Sequence, residues 1–258
     1  MKRSISDSEL EQMLGSYMAA SSGQNFQLDE GRVFGNAYAP RRILKAIIIK
    51  VVVAVITLII LSFIIFVLLD LAPSEIVDTK PVIYLYPEEP TEVTVRLNYG
   101  GELFITYPAY HDGWSVLAYP DGTLINHHDG REYSYLFWEG RNTTDYDLSK
   151  GFVVRGEDTV EFLQHTLAYI GLIPREYNEF IVYWLPYMQD NAYNLITFQG
   201  EVYTDSAELI IYPEPDSVLR VFMAIRPLSS PIEVEEQVLE PFTRTGFAVI
   251  EWGGAIIE

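Results

Sequence analysis

Two short runs carry the residue types from which sugar chemistry is built, Trp138-Glu139-Gly140 and Glu251-Trp252-Gly253-Gly254. Each sets a carboxylate beside a tryptophan at what reads as a strand end, and glycine follows. A tryptophan face takes a sugar ring by apolar contact, and a carboxylate binds hydroxyls or moves protons. Two carboxylates about 5 to 9 Å apart would fit glycoside hydrolysis. Glu139 and Glu251 are thus the candidate catalytic residues, and Trp138 and Trp252 the candidate ligand contacts. The plainer alternative puts the tryptophans in the core, the carboxylates in water and the glycines in turns.

Other chemistry has less to stand on. No G-x-S-x-G elbow occurs, and no phosphate-binding glycine loop. Cysteine is absent, which excludes thiol catalysis, cysteine metal sites and disulfides. His127 and His128 fall in a turn, where neighbouring side chains diverge. His111 precedes Asp112, and His165 follows Glu161 by four residues on the polar side of a helix. Neither a metal set nor a cofactor is assigned. Asn142-Thr143-Thr144 matches the glycosylation sequon, which matters only in a eukaryote.

The elements that must position these residues lie beyond a membrane segment. The run VVVAVITLIILSFIIFVLL, residues 51–69, holds no charge. A helix of that length rises about 28 Å, close to the hydrocarbon thickness of a bilayer. Arg41, Arg42, Lys45 and Lys50 crowd its N-terminal side, while Asp70, Glu75 and Asp78 follow it. The positive-inside rule then puts the N-terminus in the cytoplasm and the larger domain outside the plasma membrane, as a signal-anchor topology. Residues 1–50 carry seven basic and five acidic side chains. The rest carry ten basic and thirty-one acidic, a net −21 within the total of −19. Such a domain repels nucleic acid.

Four segments follow from this: a cytoplasmic tail over 1–42, the anchor over 43–72, a linker over 73–79, and an extracytoplasmic domain over 80–258. The tail reads as mostly disordered apart from one short helix near 6–19. There Leu10, Met13, Leu14, Tyr17 and Met18 recur at helical spacing. That stripe is a candidate docking face for a cytoplasmic protein, set against a transient helix in a disordered tail.

Beyond Lys80 the period becomes two. Val93, Val95, Leu97 and Tyr99 alternate with polar residues, and Gly100-Gly101 is expected to turn a hairpin into 103–107. Asp112-Gly113, Asp121-Gly122 and Asp129-Gly130 separate further short strands in a meander, and they are read as turn chemistry rather than calcium ligation. One helix is expected from Asp158 to Gly171, with a helical turn starting at Pro174. Strands are expected over 181–185, 193–198, 207–212, 218–225 and 247–252. The class is α+β: one transmembrane helix, then a single antiparallel-sheet-rich domain with one or two helices.

The runs KPVIYLYP (80–87), SYLFWEG (134–140), EFIVYWLP (179–186) and EWGG (251–254) resemble a group of uncharacterised bacterial envelope proteins. The resemblance implies a bacterial envelope domain and assigns no catalytic residue. The expected function is a membrane-anchored, extracytoplasmic binding or interaction module for glycan, wall polymer or protein. The alternative is an envelope hydrolase acting on glycans through Glu139 and Glu251.

Overall fold

The computed structural model describes residues 7–21, 30–70 and 75–257. The chain divides into two units, Met1–Ala72 and Pro73–Glu258.

The first unit is helical. Helix α1 spans Asp7–Ser21 and leaves Leu10, Met13, Leu14, Tyr17 and Met18 exposed. Helix α2 runs from Glu30 to Asp70. Within it, Ile43–Val67 is long and apolar enough to cross a membrane, with a mean hydropathy of 3.1 and none of that stretch buried. The helix thus extends N-terminally into residues 30–42, which sequence composition assigns to disorder. Once a long apolar helix is nucleated, adding a residue costs little.

The second unit is a β-sandwich with helices on one outer face. Its twelve strands are β1 (Ile76–Tyr86), β2 (Thr91–Tyr99), β3 (Glu102–Tyr107), β4 (Trp114–Ala118), β5 (Leu124–Asn126), β6 (Glu132–Tyr133), β7 (Leu136–Asn142), β8 (Phe152–Arg155), β9 (Tyr193–Gln199), β10 (Ala207–Tyr212), β11 (Ser217–Leu228) and β12 (Ala248–Ile256). Helices α3 (Thr159–Ile170) and α4 (Pro174–Met188) separate β8 from β9, and the short α5 (Glu201–Ser206) precedes β10. A seven-stranded sheet has the order β3-β7-β1-β12-β11-β9-β8, and a five-stranded sheet the order β10-β2-β4-β5-β6. All pairings are antiparallel except β11 with β12. The protein is therefore α+β, with one membrane-length helix ahead of a sheet-rich domain.

Alternation along the central strands feeds two cores. Ile83, Leu85, Trp138, Phe222 and Val249 face the five-stranded sheet, where Val93, Val95, Trp114 and Val116 meet them. Val82, Tyr84, Met223, Ile250 and Trp252 face α3 and α4, where Leu163, Leu167, Phe180 and Trp184 meet them. The seven-stranded sheet is thus covered on both sides, which explains the nearly unbroken apolar text of β1 and β12.

Three expectations require correction. First, residues 181–185 are helical. Phe180, Ile181, Trp184 and Met188 form the buried side of α4. The run is rich in β-formers, but packing against the sheet overrides propensity. Pro186 is accommodated in the last turn. Glu176 supports the first turn by accepting the Ile173 N–H at 2.9 Å. Second, Gly100-Gly101 makes no hairpin: β2 pairs with β4 and β10, whereas β3 pairs with β7. The pair carries the chain from one sheet to the other. A side chain at Gly101 would lie 2.0 Å from the Arg141 carbonyl oxygen. Third, the meander stops at β6, because β7 crosses into the seven-stranded sheet. The Asp-Gly pairs do make turns, and Asp121 and Asp129 accept the N–H groups of Thr123 and Arg131.

Candidate functional site

The structure does not bring Glu139 and Glu251 together. Their strands, β7 and β12, flank β1 on opposite sides. Glu139 shares the face of Phe137, toward the helices, whereas Glu251 shares the face of Val249, toward the second sheet. Each tryptophan likewise points away from its neighbouring carboxylate. Trp138 and Trp252 are both fully buried, one in each core. Neither presents a face to a ligand, so these two candidate contacts are core residues.

Glu251 belongs to a polar centre between the sheets. It is 0% exposed, pairs with Arg220 Nε at 2.5 Å, and accepts the Trp138 indole N–H at 3.3 Å. The Arg220 guanidinium also lies 4.7 Å from the Tyr203 ring centre. Nearby, buried Asp78 accepts hydrogen bonds from Tyr146 Oη (2.5 Å), Tyr99 Oη (2.9 Å) and Asn142 Nδ2 (2.6 Å). Asn142 is itself buried, so the sequon is closed to a glycan.

Burial is the largest influence on Asp78. The three hydrogen bonds oppose it, the Glu251 charge adds to it, and the carboxyl is pushed up from 3.8 to about 6. The folded state therefore binds this proton more tightly than the unfolded chain does. Its contribution to stability is present in full below about pH 4 and is lost as pH rises toward 6 and slightly beyond. At most about 3 kcal/mol is at stake. Asp78→Asn should remove this pH dependence. The unfolding free energies of wild type and variant, measured in urea at pH 4.5 and pH 7.5, should differ by an amount that changes between the two pH values. A constant difference would show that Asp78 is ionised throughout.

On the helical face a different constellation forms. β1 is bulged between Thr79 and Val82, its register shifting against both neighbours. Lys80 sits there at φ +51°, ahead of Pro81. A non-glycine residue in that conformation costs free energy, and bulges serve to re-aim side chains. The Lys80 N–H is donated to Glu139 Oε1 at 3.2 Å. Its ammonium is held 5.1 Å from the Tyr183 ring centre, 5.9 Å from that of Trp252 and 6.0 Å from that of Tyr135. Gly253 leaves room for the bulge, since a Cβ there would meet Pro81 at 2.9 Å; at Gly254 a Cβ would meet the Met223 carbonyl oxygen at 2.3 Å and the Trp184 ring at 2.6 Å.

Lys80 borders an open groove of about 570 Å³, whose walls include Tyr135, Asn178, Glu179, Tyr183 and Tyr187. Glu179, Tyr183 and Tyr187 recur every four residues and so share one side of α4. The Tyr84 hydroxyl donates to Glu179 Oε2 at 3.0 Å. Burial holds the Glu139 carboxyl above its ordinary range, against the Lys80 N–H and charge, and burial also raises the Tyr183 hydroxyl. The groove thus offers aromatic faces, an amide, one ammonium and one carboxylate, with Glu139 adjoining it through the Lys80 backbone. Three of the four sequence runs noted above line it, with Lys80, with Tyr135, and with Glu179 and Tyr183, while Trp252 of the fourth lies buried beside Lys80.

None of the four sequence candidates lines this groove; Glu139 and Trp252 adjoin it through Lys80, one by a hydrogen bond to its N–H and the other by its ring. Lys80, Tyr135, Glu179, Tyr183 and Tyr187 escaped notice. Helical spacing over 174–188 would have aligned Glu179, Tyr183 and Tyr187, whereas reading 181–185 as a strand kept only Tyr183 and left the other two outside the element. The histidines are elsewhere, with the rings of His111 and His128 4.0 Å apart. Among the described residues no three acidic or histidine side chains are grouped to hold a metal ion.

The fold and groove define an α+β protein with one membrane-length helix and a sheet-rich domain that carries a tyrosine-lined recess on its helical face. Over 66 residues the chain is 47% identical to a Butyrivibrio fibrisolvens protein described as "Uncharacterized protein in bglA 3'region", a match covering 24% of this chain and 67% of that protein. The chain belongs to the same family as that protein. No family model and no solved structure matches it.

Proposed function

We infer that the chain is a membrane-anchored binding module that holds a glycan or wall polymer in the Lys80–Tyr183 groove, on the outer side of a plasma membrane. The observation that carries this reading is the bulge at Lys80, a strained backbone that aims one cation into a recess faced by three tyrosines and the Glu179 carboxylate. Tyrosine faces stack on the apolar side of a sugar ring, while Asn178, Glu179 and Lys80 suit its hydroxyls. The basic flank ahead of the membrane segment supports an outside location for the sheet-rich unit. A hydrolase working through Glu139 and Glu251 draws no support from carboxylates on opposite faces of a sheet.

The test uses the full chain in nanodiscs and a β-1,4-linked N-acetylglucosamine tetrasaccharide, followed by calorimetry. Tyr187 is half exposed, so Tyr187→Ala should leave stability within about 0.5 kcal/mol. Removing a central aromatic contact should weaken binding about 30-fold. Undiminished binding by Tyr187→Ala and Tyr183→Ala would reject the groove. Shortening of the tetrasaccharide during the titration would replace the binding reading with a catalytic one.

A further inference from the structure

Four strands end the two sheets, and three of their free edges are protected. β6 is only two residues long. β3 is interrupted by a register shift between Leu103 and Ile105. β8 is four residues long and is overlaid by the segment at Glu235, whose carbonyl accepts the Gly151 N–H at 2.9 Å, while Lys150 bridges to Glu235. Short length, bulges and covering segments are the usual devices that keep sheet edges from pairing with other chains.

β10 has none of them. All six of its residues pair in unbroken register with β2, and among the described residues no segment pairs with its other edge. It contains no proline and no lysine. Its outward side chains include Ile210, 52% exposed, and Tyr212, 78% exposed. Leu209 and Ile211 point inward, yet they stay only partly buried because the sheet ends there. An open groove of about 740 Å³ runs along this edge and reaches Val218 and Arg220 of β11 across the gap between the sheets. Asp205, Glu208 and Glu214 rim it.

We propose that β10 is a second binding site, which takes an extended, basic peptide segment of a partner protein as an added strand. The backbone edge supplies the hydrogen bonds, as in strand addition generally. Leu209, Ile211 and Val218 receive the partner's apolar side chains, completing the first core. The acidic rim selects lysine or arginine at the alternate positions. A second copy of this chain is disfavoured, since it would bring the same acidic rim and another domain of net charge −20 against the first. Arg220 does not offset the rim, because its guanidinium is already paired with Glu251.

The experiment uses the full chain in phosphatidylcholine nanodiscs, with empty discs as the control for lipid binding. The probes are fluorescent octapeptides of alternating lysine and valine, and of alternating glutamate and valine, read by anisotropy. The lysine peptide should bind and the glutamate peptide should not. N-methylating alternate amides of the lysine peptide should weaken it about tenfold or more on the set that faces β10, and little on the other set. Ile210→Lys should abolish binding while leaving the urea midpoint unchanged, and Glu208→Lys with Glu214→Lys should transfer preference to the glutamate peptide. Equal binding of both peptides, or indifference to both N-methylated sets, would overturn the proposal. So would dimers crosslinked through Tyr212→Cys at both β10 edges, which would assign the edge to a second copy.

Discussion

Arg220→Ala should lower the unfolding free energy by about 3–5 kcal/mol, because it strands the Glu251 carboxylate in the interior without its partner. Glu251 is fully buried, and its other contact, the Trp138 indole, cannot neutralise a charge. The loss is readily measured, since all four tryptophans are buried in the sheet-rich unit and their fluorescence follows its unfolding in denaturant. Replacing both partners, as Arg220→Met with Glu251→Leu, should recover most of the loss, because an apolar pair has no charge to desolvate. If the single and double variants are equally destabilised, packing rather than charge is what Arg220 contributes. Conversely, a near-neutral Arg220→Ala would show that water reaches Glu251.

Trp252→Ala should cost a similar amount, about 3–5 kcal/mol, for a different reason. The indole fills the space between β12 and α4, with its ring 5.3 Å from Phe180, and truncation leaves a cavity that the surrounding sheet cannot close. Lys80 also loses one of its three aromatic neighbours, so saccharide binding should weaken along with stability. Trp252→Phe should keep more of both. This combination separates Trp252 from Tyr187, whose removal should weaken binding at almost constant stability. If Trp252→Ala instead changed binding alone, the residue would be a ligand contact after all, and its burial would have to be transient.

Much of the architecture was legible in the sequence because it rests on local regularities. A charge-free run of nineteen residues can hardly be anything but a membrane-length helix, since few soluble folds bury so long an apolar cylinder. Alternation at Val93, Val95 and Leu97 marked β2, and Asp-Gly pairs marked turns through their own backbone preferences. The span 207–212 was legible as a strand to the residue, matching β10. Asp158 and Gly171 bracketed α3.

What remained hidden depended on which elements meet. The text around Gly100-Gly101 is that of a hairpin, and only the competition between two sheets for β2 and β3 turned it into a crossing. The run EFIVYWLP has strand-forming residues from Phe180 to Trp184. It became a helix because α4 lays Phe180, Ile181 and Trp184 on the face of the seven-stranded sheet that the second sheet leaves open. The candidate site shows the same division. Sequence drew attention to tryptophan beside carboxylate at 138–139 and 251–252, and alternation along a strand necessarily sends such neighbours to opposite faces. Tertiary structure regrouped them by face, putting Trp138 with Glu251 in one core and Glu139 with Trp252 on the helical face, both against Lys80. The residues that line that groove come from β1, α4 and the approach to β7, and no local period connects them. Sequence alone fixes which residues share a face of one element, because that follows from backbone geometry. Which faces oppose one another is decided by long-range packing, and both the groove and the exposed edge of β10 arise at that level.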